Sequence, residues 1–267
     1  MSRWKRISEF TEKIKKESTL KISVLIPMYN EISTVRGTAD ALTDELESFC
    51  ASSGDEYEII FSDDGSTDGS CDAVPKGKEL SCGSVRCIRS EQNRGKGAAV
   101  RHAVLASSGE AVVYTDCDLA YGTAVIHDAV EVLRSGDADA VIGSRAIHPD
   151  GYNGYTALRR LTSKAYMHLL SGFAGFRLSD SQCGIKAFRG DLARDIFSEA
   201  ETDGWAFDFE IIMLALQRGA KIRELPVKVI NHRESRIHII RDSFGMVKEL
   251  CKIKRRLSRS DQSRSER

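Results

Sequence analysis

Short apolar runs rich in β-branched residues alternate with segments of helical periodicity, and this alternation leaves few architectures open to the chain. "KISVLIP" (21–27) is a strand stopped by proline, and "YEIIFS" (57–62), "SVRCIRS" (84–90), "EAVVYTD" (110–116) and "ADAVIGSR" (138–145) are four more. Between them, "STVRGTADALTDELESFC" (33–50) has Ser33 as a cap and apolar residues at Val35, Ala39, Leu42 and Leu46. "GKGAAVRHAVLAS" (95–107) enters a helix through glycines, and "AVIHDAVEVLRS" (124–135) is a third helix. Strands that alternate with helices form a mostly parallel sheet covered by helices on both faces, so an α/β domain is expected over 21–235. Such sheets bind ligands beyond the carboxyl ends of their strands. Those ends carry "PMYNE", "DDGSTD", "DCDLA" and "GSR".

The second half is less regular. "ALRRLTSKAYMHLLSGF" (157–173) reads as a helix, "SDSQCGIKAFRGD" (179–191) as a loop entering a short strand, and "GWAFDFEIIMLALQRG" (204–219) as a loop and a helix closed by Gly219. "KIRELPVKVIN" (221–231) is a strand whose Pro226 points to a sheet edge. Apolar residues recur at Ile240, Phe244, Val247 and Cys251 beside Leu250, with Lys248, Lys252, Lys254, Arg255 and Arg256 around them. An amphipathic C-terminal helix is therefore expected over 236–257, lying on a membrane surface or packing on the domain.

The formal net charge is zero, but it is unevenly spread. Residues 1–21 carry seven basic and three acidic side chains, and residues 241–267 carry nine and four, which leaves 23 basic against 32 acidic between them. A basic extension over 1–20 and a disordered basic tail over 258–267 suit an anionic surface such as phospholipid headgroups, or are simply solvated. No nucleic-acid partner is expected. The seven cysteines are odd in number and contain no C-x-x-C pair, which favours free thiols in a reducing compartment. No window approaches the ~18 to 20 apolar residues of a spanning helix, and the start lacks a signal-peptide core. A cytoplasmic protein, peripheral on the cytosolic membrane face, is the expectation.

The stretch "VVYTDCDLAYG" (112–122) carries the chemistry. If the strand continued through it, Asp116 and Asp118 would project from one face and repel. Paired carboxylates at a strand end suit a hard divalent cation, Mg²⁺ or Mn²⁺, shared with substrate phosphates. A solvated loop with a helix cap is the plainer reading of D-x-D by itself.

The order "VLIPMYNE", "IIFSDDGSTDGS", "QNRGKGAA", "YTDCDLA" resembles the family 2 glycosyltransferases of GT-A fold, over roughly residues 20–235. "DSQCGIKAFR", "GWAFDFE" and "HRESRI" resemble the branch that makes dolichyl-phosphate glucose or mannose, with the glucosyl type closer. The resemblance implies that Pro27, Tyr29 and Glu31 line the base and ribose pocket and that Asp63 accepts from a base N–H. It implies that Asp64 supports the turn or ribose, and that Lys96 lies near phosphates or base. Asp116 and Asp118 would hold the metal on the diphosphate. A Gln that often follows in the mannosyl branch is here Ala120, which leaves the third ligand to water. "DDGSTDG" is also good turn chemistry, so Asp64 and Asp68 have a structural alternative.

An acceptor polyprenyl phosphate is already an anion and needs cations, not a base. Arg145, Lys186, Arg233 and Arg236 are the candidates, with Gln182 beside them. A neutral hydroxyl acceptor would need a base, with Asp180, Asp208 or Glu210 available. Asp208 and Glu210 have the alternative of ordering the acceptor loop.

Three readings follow: a polyprenyl-phosphate hexosyltransferase using UDP-glucose or GDP-mannose, a family 2 transferase acting on a polysaccharide, glycolipid or protein, and a nucleotidyltransferase or nucleotide-binding module. "DSQCGIKAFR" in place of a Q-x-x-R-W motif favours the first, and "PMYNE" in place of a Gly-rich loop with Arg and Lys disfavours the last. The first implies a membrane surface, reached alone or through a membrane partner subunit. Removing 239–267 is then expected to weaken binding to anionic vesicles and to leave nucleotide-sugar binding little changed.

Overall fold

The computed structural model describes residues 19–75, 80–152, 172, 175–231 and 248–259. Seven strands form one sheet: β1 (Lys21–Met28), β2 (Glu56–Asp63), β3 (Gly83–Arg89), β4 (Ala111–Tyr114), β5 (Ala140–Ser144), β6 (Lys186–Arg189) and β7 (Ile222–Pro226). Their order is β3-β2-β1-β4-β6-β5-β7. All pairings are parallel except those of β6, which runs antiparallel to both β4 and β5. The chain moves from β1 to β2 on one side and returns to β4 on the other. The boundary between β1 and β4 is therefore the switch point at which open α/β sheets bind ligands.

All of β1 beyond Lys21 is buried, and its side chains alternate between two layers that sort the helices. Ile22, Val24, Ile26 and Met28 pack with α1 (Val35–Ser53) and α4 (Ala124–Arg134). Leu25 faces the opposite layer of α3 (Lys96–Ala106), α5 (Gly190–Glu199) and α6 (Phe207–Gln217). The short α2 (Ser70–Ala73) follows β2. Neither α2 nor α5 is foreseen from sequence periodicity, and Ser33 does not cap α1, whose N-cap is Thr34. As Pro226 suggests, β7 is an edge strand.

One expectation changes, and of the two placements left open for the C-terminal helix the fold takes the packed one. Cys71 of α2 and Cys87 of β3 form a disulfide with Cα atoms 5.9 Å apart, because α2 folds back over the outer strand; Cys50, Cys82, Cys117, Cys183 and Cys251 are free thiols. The C-terminal segment is helical over 248–259 (α7), and its apolar face lies against the domain. Leu250, Ile253 and Leu257 are buried against α6, which is apolar almost all round and so requires cover on both sides. Lys248, Lys252, Lys254 and Arg255 stay exposed. Ile240, Phe244 and Val247 of the expected stripe lie outside the described residues, as do the expected helix over 157–173 (all but residue 172), the extension over 1–18 and the tail over 260–267.

Ile253→Ala is expected to lower the unfolding free energy by about 2–5 kcal/mol, as for other buried large-to-Ala changes. Urea denaturation measures it, and a helix resting only on solvent would give a change within about 0.5 kcal/mol.

Candidate functional site

The loops after β1 and β2 are laced together. Asn30, with φ at 55°, donates its N–H to Ser66 Oγ at 2.8 Å and accepts the Thr67 N–H at 3.0 Å. The N–H of Glu31 donates to Ser70 Oγ at 2.8 Å and that of Ile32 to Asp68 Oδ2 at 3.0 Å. Asp68 therefore does structural work. Pro27 is buried at the end of β1, Glu31 is half-buried and Tyr29 is exposed. Asp63 is wholly buried: Oδ1 accepts the Ser66 N–H at 2.8 Å, while Oδ2 has no hydrogen-bond partner and lies 3.4 Å from Arg89 Nε. Asp64 accepts the N–H groups of Arg94 at 3.1 Å and Gly95 at 2.6 Å, which ties β2 to the start of α3.

Strand β4 ends at Tyr114, so Asp116 and Asp118 stand in a turn and not on one face of a strand. The Leu119 N–H donates to the Asp116 carbonyl at 3.0 Å, and Leu119 has φ at 47°. Asp118 Oδ1 accepts the Ala120 N–H at 3.1 Å. Asn231 Nδ2 holds the carbonyls of Asp118 and Leu119 at 3.1 and 3.2 Å. Asp116 Oδ1 accepts from Lys96 Nζ at 2.5 Å, and Lys96 Nζ lies 5.4 Å from the centre of the Trp205 ring. Burial disfavours the Lys96 ammonium, but Asp116 and Asp208 outweigh it and hold its pKa above the usual lysine value. Part of the positive charge that the carboxylate pair calls for is thus built into the chain. Gly184 presses on the same group, because a Cβ there would sit 2.0 Å from Asp116 Oδ2.

Among the described residues no three His, Cys, Asp or Glu side chains cluster as a metal site. Two hard carboxylates nevertheless fit Mg²⁺ or Mn²⁺, which take few protein ligands and complete their shell with diphosphate oxygens and water.

The acceptor-side residues separate by burial. Asp180 is wholly buried and receives a forked contact from Arg145, Nε at 2.6 Å and Nη2 at 2.8 Å. Lys186, expected among the cations facing the acceptor, is instead buried: its Nζ donates to Asp208 Oδ1 at 2.5 Å and to the Cys183 carbonyl at 2.8 Å. The strand direction of β6 turns this ammonium into the core, where Tyr114 also donates to Asp208 at 2.8 Å. Glu210 is wholly buried and accepts the N–H groups of Glu201 at 2.9 Å and Thr202 at 2.7 Å, together with Arg256 Nη2. This is the loop-ordering alternative for Glu210; Asp208 is held instead by Tyr114 and Lys186. Gln182 is half-buried with its Nε2 unpartnered. Arg233 and Arg236 lie outside the described residues.

Trp205, Asn231 and Gly184 belong to the site without having been singled out from sequence. Trp205 and Gly184 sit inside the distinctive "GWAFDFE" and "DSQCGIK" stretches, which was the available signal. Asn231 directly precedes "HRESRI", which was the corresponding signal there.

A switch point faced by paired carboxylates and a lysine, on this sheet order, defines a GT-A type α/β domain. The model of "Glycosyl transferase family 2" matches residues 23–197, and the chain belongs to that family. It is 30% identical over 233 residues to "Glycosyltransferase AglD" of Haloferax volcanii, covering 87% of this chain but only 37% of that protein. It is 30% identical over 249 residues to the dolichyl-phosphate beta-glucosyltransferase of Saccharomyces cerevisiae, covering 87% of this chain and 74% of the relative. Among solved structures, glucosyl-3-phosphoglycerate synthase from Mycobacterium tuberculosis, in complex with Mn²⁺, UDP and glucosyl-3-phosphoglycerate, superposes with a TM-score of 0.62 at 21% identity. That match covers 90% of this chain and 80% of the other. Among the described residues no helix is long and apolar enough to cross a membrane.

Gly184→Ala places its new carbon against the end of the Asp116 side chain and not against backbone. The variant is expected to fold and to bind UDP with Mn²⁺ about 10–100-fold more weakly, the usual scale for disturbing a ligand's support. Calorimetric titration measures the loss.

Proposed function

We propose that this chain is an inverting hexosyltransferase that moves glucose from UDP-glucose, ahead of mannose from GDP-mannose, to a polyprenyl phosphate such as dolichyl phosphate. One observation carries the choice of acceptor. Asp180, Asp208 and Glu210, the three carboxylates from which a neutral hydroxyl acceptor would draw its base, are all buried and committed to Arg145, Lys186 and Arg256. A phosphate acceptor is ionised at neutral pH and requires no base. The dolichyl-phosphate beta-glucosyltransferases among the relatives support the same acceptor and sugar.

In this reading the loops holding Pro27, Tyr29, Glu31, Asp63 and Asp64 receive the nucleoside. Asp116 and Asp118 would hold Mg²⁺ or Mn²⁺, which would supply Lewis acidity for the leaving diphosphate. Lys96, kept charged by Asp116, faces the same diphosphate oxygens. A phosphate oxygen of the acceptor attacks the anomeric carbon, the bond to the diphosphate breaks, and configuration inverts. Arg145, fixed by Asp180, orients the acceptor anion, with Gln182, Arg233 and Arg236 as further contacts. The exposed lysines and arginine of α7 supply a basic face toward anionic lipid on the cytosolic side, at about 1 kcal/mol per residue near the surface. A membrane partner subunit is the other route to that surface.

Asp116→Ala and Asp118→Ala are each expected to cut transfer to dolichyl phosphate by about 10²–10³-fold or more, the scale of losing charge stabilisation at a leaving group. A radiolabelled donor screen with each variant, and with chelator, tests this. Full activity of Asp118→Ala, undiminished turnover in chelator, or tight GDP-mannose binding without UDP-glucose binding would overturn the reading.

A further inference from the structure

The loop over 201–205 joins the C-terminal helix to the start of α3. From one side it is held by α7: Arg256 Nη1 lies 2.8 Å from Glu201 Oε2, and Arg256 Nη2 donates to buried Glu210, which in turn accepts the Glu201 and Thr202 N–H groups. On the other side the loop replaces a helix cap. No side chain caps α3; the Asp203 carbonyl instead accepts the Gly97 N–H at 2.7 Å and the Ala98 N–H at 3.3 Å. These are first-turn donors with no partner inside the helix. The Asp203 carboxylate pairs with Arg94 at 2.8 Å and with Arg101. The approach is close: a Cβ at Gly95 would lie 2.6 Å from the Asp203 carbonyl oxygen. Lys96 sits between these glycines, and the loop ends at Trp205, whose ring lies under the Lys96 ammonium.

We propose that Arg256 is a positioning residue for the nucleotide site: through Glu210 it fixes the loop over 201–205, and that loop sets Trp205 against Lys96 and Lys96 against Asp116. Its effect on transfer rests on the function proposed above; its effect on Trp205 does not. On this proposal one expectation drawn from the sequence changes. Losing the C-terminal segment removes a clamp on the Lys96 turn, so nucleotide-sugar binding falls with it and not only attachment to lipid.

The chain has two tryptophans, so Trp4→Phe leaves Trp205 as the sole indole. In that background Arg256→Met is compared with Arg256→Met/Glu210→Gln, a neutral pair that leaves no unpaired buried charge and keeps the variant folded. Both are expected to raise acrylamide quenching of Trp205 about twofold and to lower kcat/KM for the sugar nucleotide about tenfold or more, the scale of a small misplacement of a reacting group. Arg256→Lys, which keeps the charge, is expected to recover most of both. A folded double variant with quenching unchanged from the Trp4→Phe parent overturns the proposal whatever its activity. Raised quenching in the variants of a Trp4→Phe parent that itself transfers no sugar sustains the clamp and rejects the transferase reading instead. Recovery of the thermal midpoint by the double variant together with parental quenching and kinetics would reduce Arg256 to a stability contact and likewise overturn the proposal.

Discussion

The site depends on one constraint: β1 lies between β2 and β4, and all three run the same way. Parallel strands deliver their carboxyl ends to a single edge, so Asp63, Asp64, Asp116 and Asp118 converge there. Like charges at one edge require compensation. The chain supplies it from elements remote in sequence, Arg89 toward Asp63 and Lys96 toward Asp116. The crevice is then an acidic rim whose charge the chain itself offsets in part.

Burial assigns different work to chemically similar groups. Arg145, Lys186 and Arg256 are all basic, and all pair with buried carboxylates. Removing either partner of such a pair strands a charge at a cost of about 3–5 kcal/mol. These contacts hold loops in one arrangement. Lys186 reaches Asp208 because β6 is inserted between β4 and β5 in a register that pairs Lys186 with Tyr114, and both donate to Asp208. Arg256 reaches Glu210 because α6 is apolar on nearly every side and draws α7 over it.

Much of this was legible in the sequence. Four of the five strands of the first half are continuous apolar runs too short for helices, β3 being the exception with Arg86 and Arg89, and the periodicity changes to the helical repeat of Val35, Ala39, Leu42 and Leu46 between them. Local pattern alone therefore dictates a parallel α/β sheet, and the acidic and glycine-rich loops fall at its carboxyl edge by the same logic. The pairing of Asp116 with Asp118, the entry of α3 through glycines and the edge position announced by Pro226 are short-range properties that sequence states directly.

Tertiary structure decided the rest, because it turns on which groups lose water together. Sequence set Asp116 and Asp118 at a strand end and left strand face and loop both open; the fold ends β4 at Tyr114 and sets both in a turn held by Asn231, more than a hundred residues away. Sequence offered Lys186 to the acceptor, and the fold buried it. The apolar stripe of the C-terminal segment suits a membrane or a core equally well, since periodicity records only that one face avoids water. The exposed flank of α6 chose the core for Leu250, Ile253 and Leu257, and so brought Arg256 to the loop beneath the site.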